Sequence, residues 1–333
     1  MKREPKPTLK TLALETGLAV TTVSRALKGA PEIAKGTRDR VQRAAKAIGY
    51  VPDRAAQRLR TGRTNVISFL LEPHDEMLSF GTMMIAGIME SLENTSFHLV
   101  VTPQFEKSDP LGTVDNIIRN RLADGVIFCR TTPLDIRVRM LLEADYPFIC
   151  HGRTELATPH PFVDFDNFEF ALDAAARLAR QGCKKLALLN ARQPFTFSQH
   201  LMHGFMTAVR ESGVSHVLPE NVSIDSAPDA VRDTAMTCIR EQGVDGFVCA
   251  GESSAMAVIA AISDCGLRVN EDIGMVAKQT TPLFGQIRPQ IDTIYEDLTA
   301  AGRQLGTLLL RRIEGAPVSE LQRLEHGEHR YRD

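Results

Sequence analysis

Thr8-Leu9-Lys10-Thr11-Leu12-Ala13-Leu14-Glu15-Thr16-Gly17, followed two residues later by Val20-Thr21-Thr22-Val23-Ser24-Arg25-Ala26-Leu27, decides how this chain is organised. Thr8 is a capping residue, Leu9, Leu12 and Ala13 share one helical face, and Gly17 ends the first helix. The second segment predicts another short helix, with Val23, Ala26 and Leu27 turned inward. Helix, glycine-containing turn, helix is the helix-turn-helix pattern. A third helix is expected from Lys35 to Ile48, with Val41, Ala44, Ala45 and Ile48 on its apolar stripe and Gly49 as its stop. In such a unit the second helix enters the major groove with its first residues at base edges. Val20 then offers apolar contact, for example to a thymine methyl, and the Thr21 and Thr22 hydroxyls bond to either kind of edge. Ser24 and Arg25 stand one turn further on, within reach of phosphate or base. Thr21 also suits a plain helix N-cap.

Short helix pairs are common, and charge makes this one informative. Residues 1–62 carry 14 Lys or Arg against 5 Asp or Glu, an excess of nine positive charges. The whole chain carries 39 against 41, so the remainder holds 25 against 36, an excess of eleven negative charges hidden within a net charge of −2. A basic head on an acidic body points to a polyanion-binding module joined to a part that avoids the polyanion. With 43% hydrophobic residues over 333 positions, two or three domains with real cores are expected, and disorder is excluded. No apolar run resembles a signal peptide or a membrane span. The six cysteines are scattered without a C-x-x-C and mostly lie in apolar runs, which predicts reduced buried thiols, no zinc and a cytoplasmic protein.

Beyond Gly49, Pro52 breaks the third helix and Asp53 caps a short segment, Arg54 to Arg60, with three Arg and Leu59. It reads either as an ordinary interdomain linker or as a helix that folds only when two copies meet on DNA. In the second case Leu59 wedges between base steps of the minor groove while the arginines neutralise phosphates.

These residues resemble the LacI/GalR family of bacterial transcription regulators. The resemblance is carried by Thr8-Leu9, Val20-Thr-Thr-Val-Ser-Arg-Ala-Leu27, Thr37-Arg38 and Gly49-Tyr50-Val-Pro-Asp-Arg-Ala-Ala-Gln-Arg-Leu59. It implies base reading by Val20 and Thr21, backbone contacts from Tyr50 and Gln57, and a hinge helix with Leu59 as its wedge. The DNA-binding set is then Thr8, Leu9, Val20, Thr21, Thr22, Ser24, Arg25, Thr37, Tyr50, Arg54, Gln57 and Leu59. Ala34 stands where the family often has a phosphate-binding Ser, a loss that weakens binding without changing sequence preference. The expected domains are residues 1–51 (helix-turn-helix), 52–62 (hinge helix) and 63–333 (effector binding and dimerisation).

From residue 63 onward, short apolar runs alternate with helical patterns, which implies α/β domains with parallel sheets. The runs are Val66-Ile-Ser-Phe-Leu-Leu71, His98-Leu-Val-Val101, Gly125-Val-Ile-Phe128 and Pro147-Phe-Ile-Cys150, then Leu186-Ala-Leu-Leu189, Val222-Ser-Ile224, Gly246-Phe-Val-Cys249 and Ile273-Gly-Met-Val276. Ile67-Ser-Phe-Leu-Leu recurs as Leu186-Ala-Leu-Leu, and Asp124-Gly-Val-Ile-Phe-Cys129 as Asp245-Gly-Phe-Val-Cys249, so two similarly ordered lobes are expected. The resemblance extends to the periplasmic-binding-protein type of fold and implies chain crossings near residues 160, 290 and 320. Ligand is then expected between the lobes, at the carboxyl ends of the strands.

The loops after those strands supply the effector candidates Phe80, His151, Arg153, Asp166, Phe195, Phe197, Glu252 and Gln279. Aromatic faces with a few aimed polar groups suit a polar small molecule such as a sugar. Alternatives stay open: Phe195 and Phe197 as helix packing, Asp166 as a helix cap, Glu252 as a first-turn acid complementing the helix dipole. By the resemblance, many members have Arg at Leu201 and Asp at Gln279, and Glu252 replaces another common Asp. Those departures favour an uncharged glycoside over a carboxylated or phosphorylated ligand, and the resemblance implies an α-glucoside- or galactoside-type disaccharide.

The expected function is therefore sugar-controlled binding of a pseudo-palindromic double-stranded operator by a homodimer, as a repressor of sugar uptake and catabolism genes. A ligand-activated, corepressor-type regulator answering to a non-sugar molecule is the alternative. A free solute-binding protein predicts an export signal and no basic head. An enzyme is not expected, because no G-x-S-x-G, P-loop or metal cluster is present. No cofactor and no catalytic residue are expected. The C-terminal segment lacks the heptads of a coiled coil.

Overall fold

The computed structural model describes residues 7–51, 62–72, 75–104 and 109–332. Arg54, Gln57 and Leu59, and with them the expected hinge helix, lie outside the described residues.

The head, which extends to Thr64, is described separately from the body that begins at Asn65. Its helices are α1 (Leu9–Thr16), α2 (Val20–Leu27) and α3 (Lys35–Ala47). Thr8 and Thr11 cap α1 reciprocally, each side chain accepting from the other's amide. Gly17 closes α1 in the left-handed region, φ 64, which only glycine enters without a Cβ penalty. Leu12, Ala13, Val23, Ala26, Val41 and Ala45 form the buried core, with Leu9, Leu27, Ala44, Ile48 and Tyr50 at its rim. Thr21 is not the N-cap of α2. Ala19 holds that place, because the turn after Gly17 is tight enough for the Val23 amide to reach the Ala19 carbonyl at 3.0 Å.

In the body, the first lobe contains β1 (Val66–Leu71), α4 (Asp75–Leu92), β2 (His98–Pro103), α5 (Pro110–Asn120), β3 (Gly125–Cys129), α6 (Ile136–Glu143), β4 (Phe148–His151) and β5 (Phe162–Phe165). The second contains α7 (Asn167–Arg180), β6 (Lys185–Leu189), α8 (Thr196–Ser212), β7 (Ser215–Val217), α9 (Pro228–Arg240), β8 (Gly246–Cys249), α10 (Glu252–Asp264), β9 (Gly274–Gln279) and β10 (Asp292–Tyr295). The chain then returns through α11 (Leu298–Ile313) to β11 (Gln322–Glu325) in the first sheet and ends on β12 (Glu328–Arg330) in the second. The sheet orders are β2-β1-β3-β4-β5-β11 and β7-β6-β8-β9-β10-β12, the same winding twice. β11 is parallel to β5 and β12 antiparallel to β10. The crossings fall at 165–167, 295–298 and 325–328, a few residues beyond 160, 290 and 320.

One expected strand is absent. Val222-Ser-Ile224 is a turn, and the edge strand beside β6 is Ser215–Val217. The Ile224 amide donates to the Asn190 carbonyl and its side chain is buried, so the apolar run marks a loop packed into the body. A short, half-exposed edge strand carries no comparable apolar run. Among the described residues no helix is long and apolar enough to cross a membrane.

Each lobe carries a helix pair in very close approach. A Cβ on Gly87 of α4 would lie 2.0 Å from the Thr299 carbonyl oxygen of α11, and one on Gly302 would lie 2.4 Å from that of Met84. In the second lobe a Cβ on Gly204 of α8 would lie 2.1 Å from the Phe168 oxygen of α7. Gly87→Ala is therefore expected to force α4 and α11 apart and to destabilise the body by about 3 kcal/mol, measured as a lower urea midpoint.

Candidate functional site

Two surfaces are built. On the head, Val20 is 41% exposed, Thr21 and Arg25 are exposed, and Thr22 and Ser24 are half-buried. An apolar side chain left in water at the start of a helix, beside two threonines, is an arrangement able to meet base edges. Arg25 is ion-paired with Glu32 at 2.8 Å, with both side chains in solvent. Such a pair is worth little and exchanges readily for phosphate. Thr8 works in its capping box, Leu9 and Tyr50 lean on the head core, and Thr37 lies half-buried in the first turn of α3. Ala34 is the N-cap of α3 and makes no side-chain cap bond.

The second site is a cavity of about 280 Å³ between the lobes, at the carboxyl ends of the strands. Phe80, Cys129, Arg130, Thr131, His151 and Asp164 line it from the first lobe. Phe197, Ile224, Glu252, Lys278 and Thr280 line it from the second, while Glu296 and Leu298 come from the crossing between β10 and α11. Phe80 packs edge-on to His151, with ring centroids 5.4 Å apart. Lys278 Nζ lies 3.3 Å from Glu296 and donates to Asn167 Oδ1 at 2.5 Å, over the faces of Phe165 and Phe170. His151 Nε2 lies 3.6 Å from Glu296, and burial holds this imidazole below its ordinary pKa despite that carboxylate.

Asp164 is the most telling group in the cavity. It is buried, Arg153 Nε lies 3.2 Å from its Oδ2, and yet that oxygen accepts no hydrogen bond among the described residues. Burial pushes its carboxyl up to about 6, with Arg153 working against the shift. A buried acceptor without a donor invites a ligand hydroxyl.

Of the residues proposed from sequence, Phe80, His151, Phe197 and Glu252 line the cavity, whereas Arg153, Asp166, Phe195 and Gln279 do not. Glu252 reaches it with its carboxylate already engaged, accepting from the Thr280 and Thr281 amides and the Thr281 hydroxyl at 2.7–2.8 Å. Arg153 turns to Asp164. Asp166 is the N-cap of α7 and accepts from the Glu169 amide at 3.0 Å. Phe195 is buried and stacks on Phe197 at 5.7 Å, with the Arg130 and Arg192 guanidiniums against it. Gln279 accepts from Thr293 and donates to the Thr281 carbonyl. Successive side chains on a strand alternate, so Lys278 faces the cavity and Gln279 cannot. The same alternation on β5 was the available signal for Asp164. Arg130, Glu296 and Leu298 follow strand ends or a crossing, and no local pattern announces them. Leu201, where an Arg was a family expectation, is buried in the second-lobe core.

A basic helix-turn-helix head on a two-lobed body, with a largely apolar cavity between the lobes that carries a few polar and charged groups, defines a DNA-binding protein whose body holds a small ligand. Residues 8–53 match the domain described as bacterial regulatory proteins, lacI family, and residues 175–333 match a periplasmic binding protein-like domain. The transcriptional regulator AglR of Rhizobium meliloti (strain 1021) is 32% identical over 95% of this chain and 92% of its own. CelR of Thermobifida fusca is 26% identical over 95% and 94%. A lac repressor dimer bound to operator and an anti-inducer superposes with a TM-score of 0.82 over 98% of both chains at 20% identity, a likeness of fold. The chain belongs to the lacI family of bacterial regulatory proteins and is a DNA-binding transcriptional regulator, not an enzyme.

Ala34→Ser supplies the missing cap of α3 and is expected to stabilise the head by about 1 kcal/mol, seen as a higher thermal midpoint. For Asp164 the folded carboxyl binds its proton more tightly than the unfolded one. Its contribution to stability therefore falls as pH rises from about 4 to about 6, by about 3 kcal/mol in all. Urea midpoints of the parent and Asp164→Asn, compared across that window, are expected to diverge, with only the parent paying this loss.

Proposed function

We propose that this regulator is a cytoplasmic homodimeric repressor of sugar-utilisation genes. It binds a pseudo-palindromic operator through α2, and a neutral sugar in the interlobe cavity changes its operator affinity. The observation that carries the effector class is the pairing state of the cavity's charges. Lys278 is held by Glu296 and Asn167, and Arg130 by Asp225, so neither awaits a phosphate or carboxylate. Asp164 offers an acceptor, and Phe80, Phe197, Ile224 and Leu298 offer apolar faces. Donor hydroxyls on an apolar ring edge are the complement of that set. The size supports a mono- or disaccharide, since the cavity lies near the lower end of the roughly 300–1,000 Å³ usual for small-molecule sites. A solved relative, CelR, is described as a cellobiose complex; it matches with a TM-score of 0.69 and 23% identity over 98% of both chains.

The DNA contacts proposed for the described head are Thr8, Leu9, Val20, Thr21, Thr22, Ser24, Arg25, Thr37 and Tyr50, with Arg54, Gln57 and Leu59 joining them from the segment beyond. The cytoplasmic reading rests on the free cysteines. Cys129, Cys150, Cys238 and Cys249 are buried, and burial raises the thiol pKa of each, that of Cys129 to about 12. Such thiols stay protonated and inert.

A thermal-shift screen of neutral sugars, sugar phosphates and sugar acids tests the effector class. A neutral sugar is expected to raise the midpoint, by about 2.7 kcal/mol of added stability at a hundred times its Kd. A response confined to anionic sugars would falsify the reading. Phe80→Ala should weaken the sugar about tenfold by calorimetry. Affinity should fall as pH drops below about 6, where Asp164 takes up a proton and ceases to be a pure acceptor. Operator binding should weaken steeply with salt while sugar binding barely responds.

A further inference from the structure

Arg130 stands between two carboxylates that belong to different lobes. It directly follows β3 in the first lobe, with φ 56, a left-handed conformation uncommon outside glycine. Its guanidinium donates to both oxygens of Asp225, at 2.8 and 2.5 Å, and Asp225 sits in the 222–226 turn of the second lobe. Glu72, which follows β1 in the first lobe, lies 3.6 Å from the same guanidinium. The Arg130 and Asp225 side chains are 7% and 14% exposed. The Asp225 turn is preset, with its amide and that of Ser223 each donating to a serine hydroxyl within the turn. Beside this pair the Thr196 amide and hydroxyl of the second lobe both donate to the Thr131 carbonyl of the first, at 2.9 and 3.1 Å. Arg130 and Thr131 also line the effector cavity.

We propose that Arg130 is a two-position latch that sets the equilibrium between lobe arrangements, held by Asp225 when the lobes are together and by Glu72 when they part. A buried cation stripped of its only partner is strongly destabilising. If Asp225 were the sole partner, Arg130 would give up its ion pair whenever the lobes part, and a small ligand would have to offset that loss before it could bias the change. Glu72 rides on the same lobe as Arg130 and stays beside it, so the charge remains compensated in both arrangements. Arg130 is thus a positioning residue for the effector response. The inference rests on the proposed role of the interlobe cavity, but it concerns the lobes themselves and can be tested without any effector.

The test is amide hydrogen exchange on the full-length, effector-free protein, read at the Thr196 segment, whose amide donates across the lobes. Asp225→Asn is expected to speed exchange there by roughly tenfold, and Asp225→Glu, which keeps the charge, to return it toward the parent rate. Glu72→Gln, which deprives the parted arrangement of its partner, is expected to slow it. Near-ultraviolet circular dichroism checks that each variant is folded. Unchanged exchange at Thr196 in a folded Asp225→Asn overturns the latch. Should that variant fail to fold, Glu72→Gln decides alone, with slower exchange supporting the latch and an unchanged or faster rate overturning it. Both exchange readouts are taken without any effector, whereas the effector reading is decided by the sugar screen on the parent protein, so failure of the latch is distinguishable from failure of that reading.

Discussion

The body depends on one topological constraint: its chain passes three times between the lobes, at 165–167, 295–298 and 325–328. Each sheet is finished by a strand delivered after a crossing, β11 on the first and β12 on the second. Neither lobe is therefore a contiguous piece of chain. The crossings lie beside the cavity, which takes Asp164 from just before the first and Glu296 and Leu298 from the second. Whatever occupies the cavity therefore touches the segments about which the lobes are joined.

Charge is managed differently in the two parts. On the head, Arg25 and Glu32 pair in solvent, a cheap interaction that gives way to phosphate. Inside the body, charges are buried and must be compensated where they stand. Arg130 is held by Asp225, Lys278 by Glu296 and Asn167, and the Glu252 carboxylate by two amides and a hydroxyl. Asp164 is paired with Arg153 yet keeps one oxygen without a hydrogen bond among the described residues, and burial raises its pKa. Unsatisfied buried groups in native proteins are few, and one facing a ligand cavity is readily understood as a contact awaiting its partner.

Close packing ties these features together. Gly87 and Gly302 bring α4 and α11 to backbone distance in the first lobe, and Gly204 does the same for α7 and α8 in the second. α7 and α11 are the helices that begin directly after the first two crossings. Within each lobe these approaches leave the paired helices little room to shift, whereas Arg130 with Asp225 is a side-chain contact between lobes.

Local pattern alone determined much of this protein. The helix-turn-helix with its Thr8 cap and Gly17 stop, the three-helix core around Leu12, Val23 and Val41, the alternating α/β body and its duplication are all written in spacings of a few residues, because capping, helical periodicity and strand hydrophobicity act over that range. His151 and Glu252 were legible from their places after strands, but tertiary structure decided the rest of the cavity's polar lining. Lys278 faces in and its neighbour Gln279 faces out, Asp164 enters while Asp166 caps α7, and Arg130 meets Asp225 across 95 residues of chain. A one-residue change of register on a strand reverses every side chain, and a contact between lobes depends on how two folded units meet. Neither is expressed in any local run of sequence.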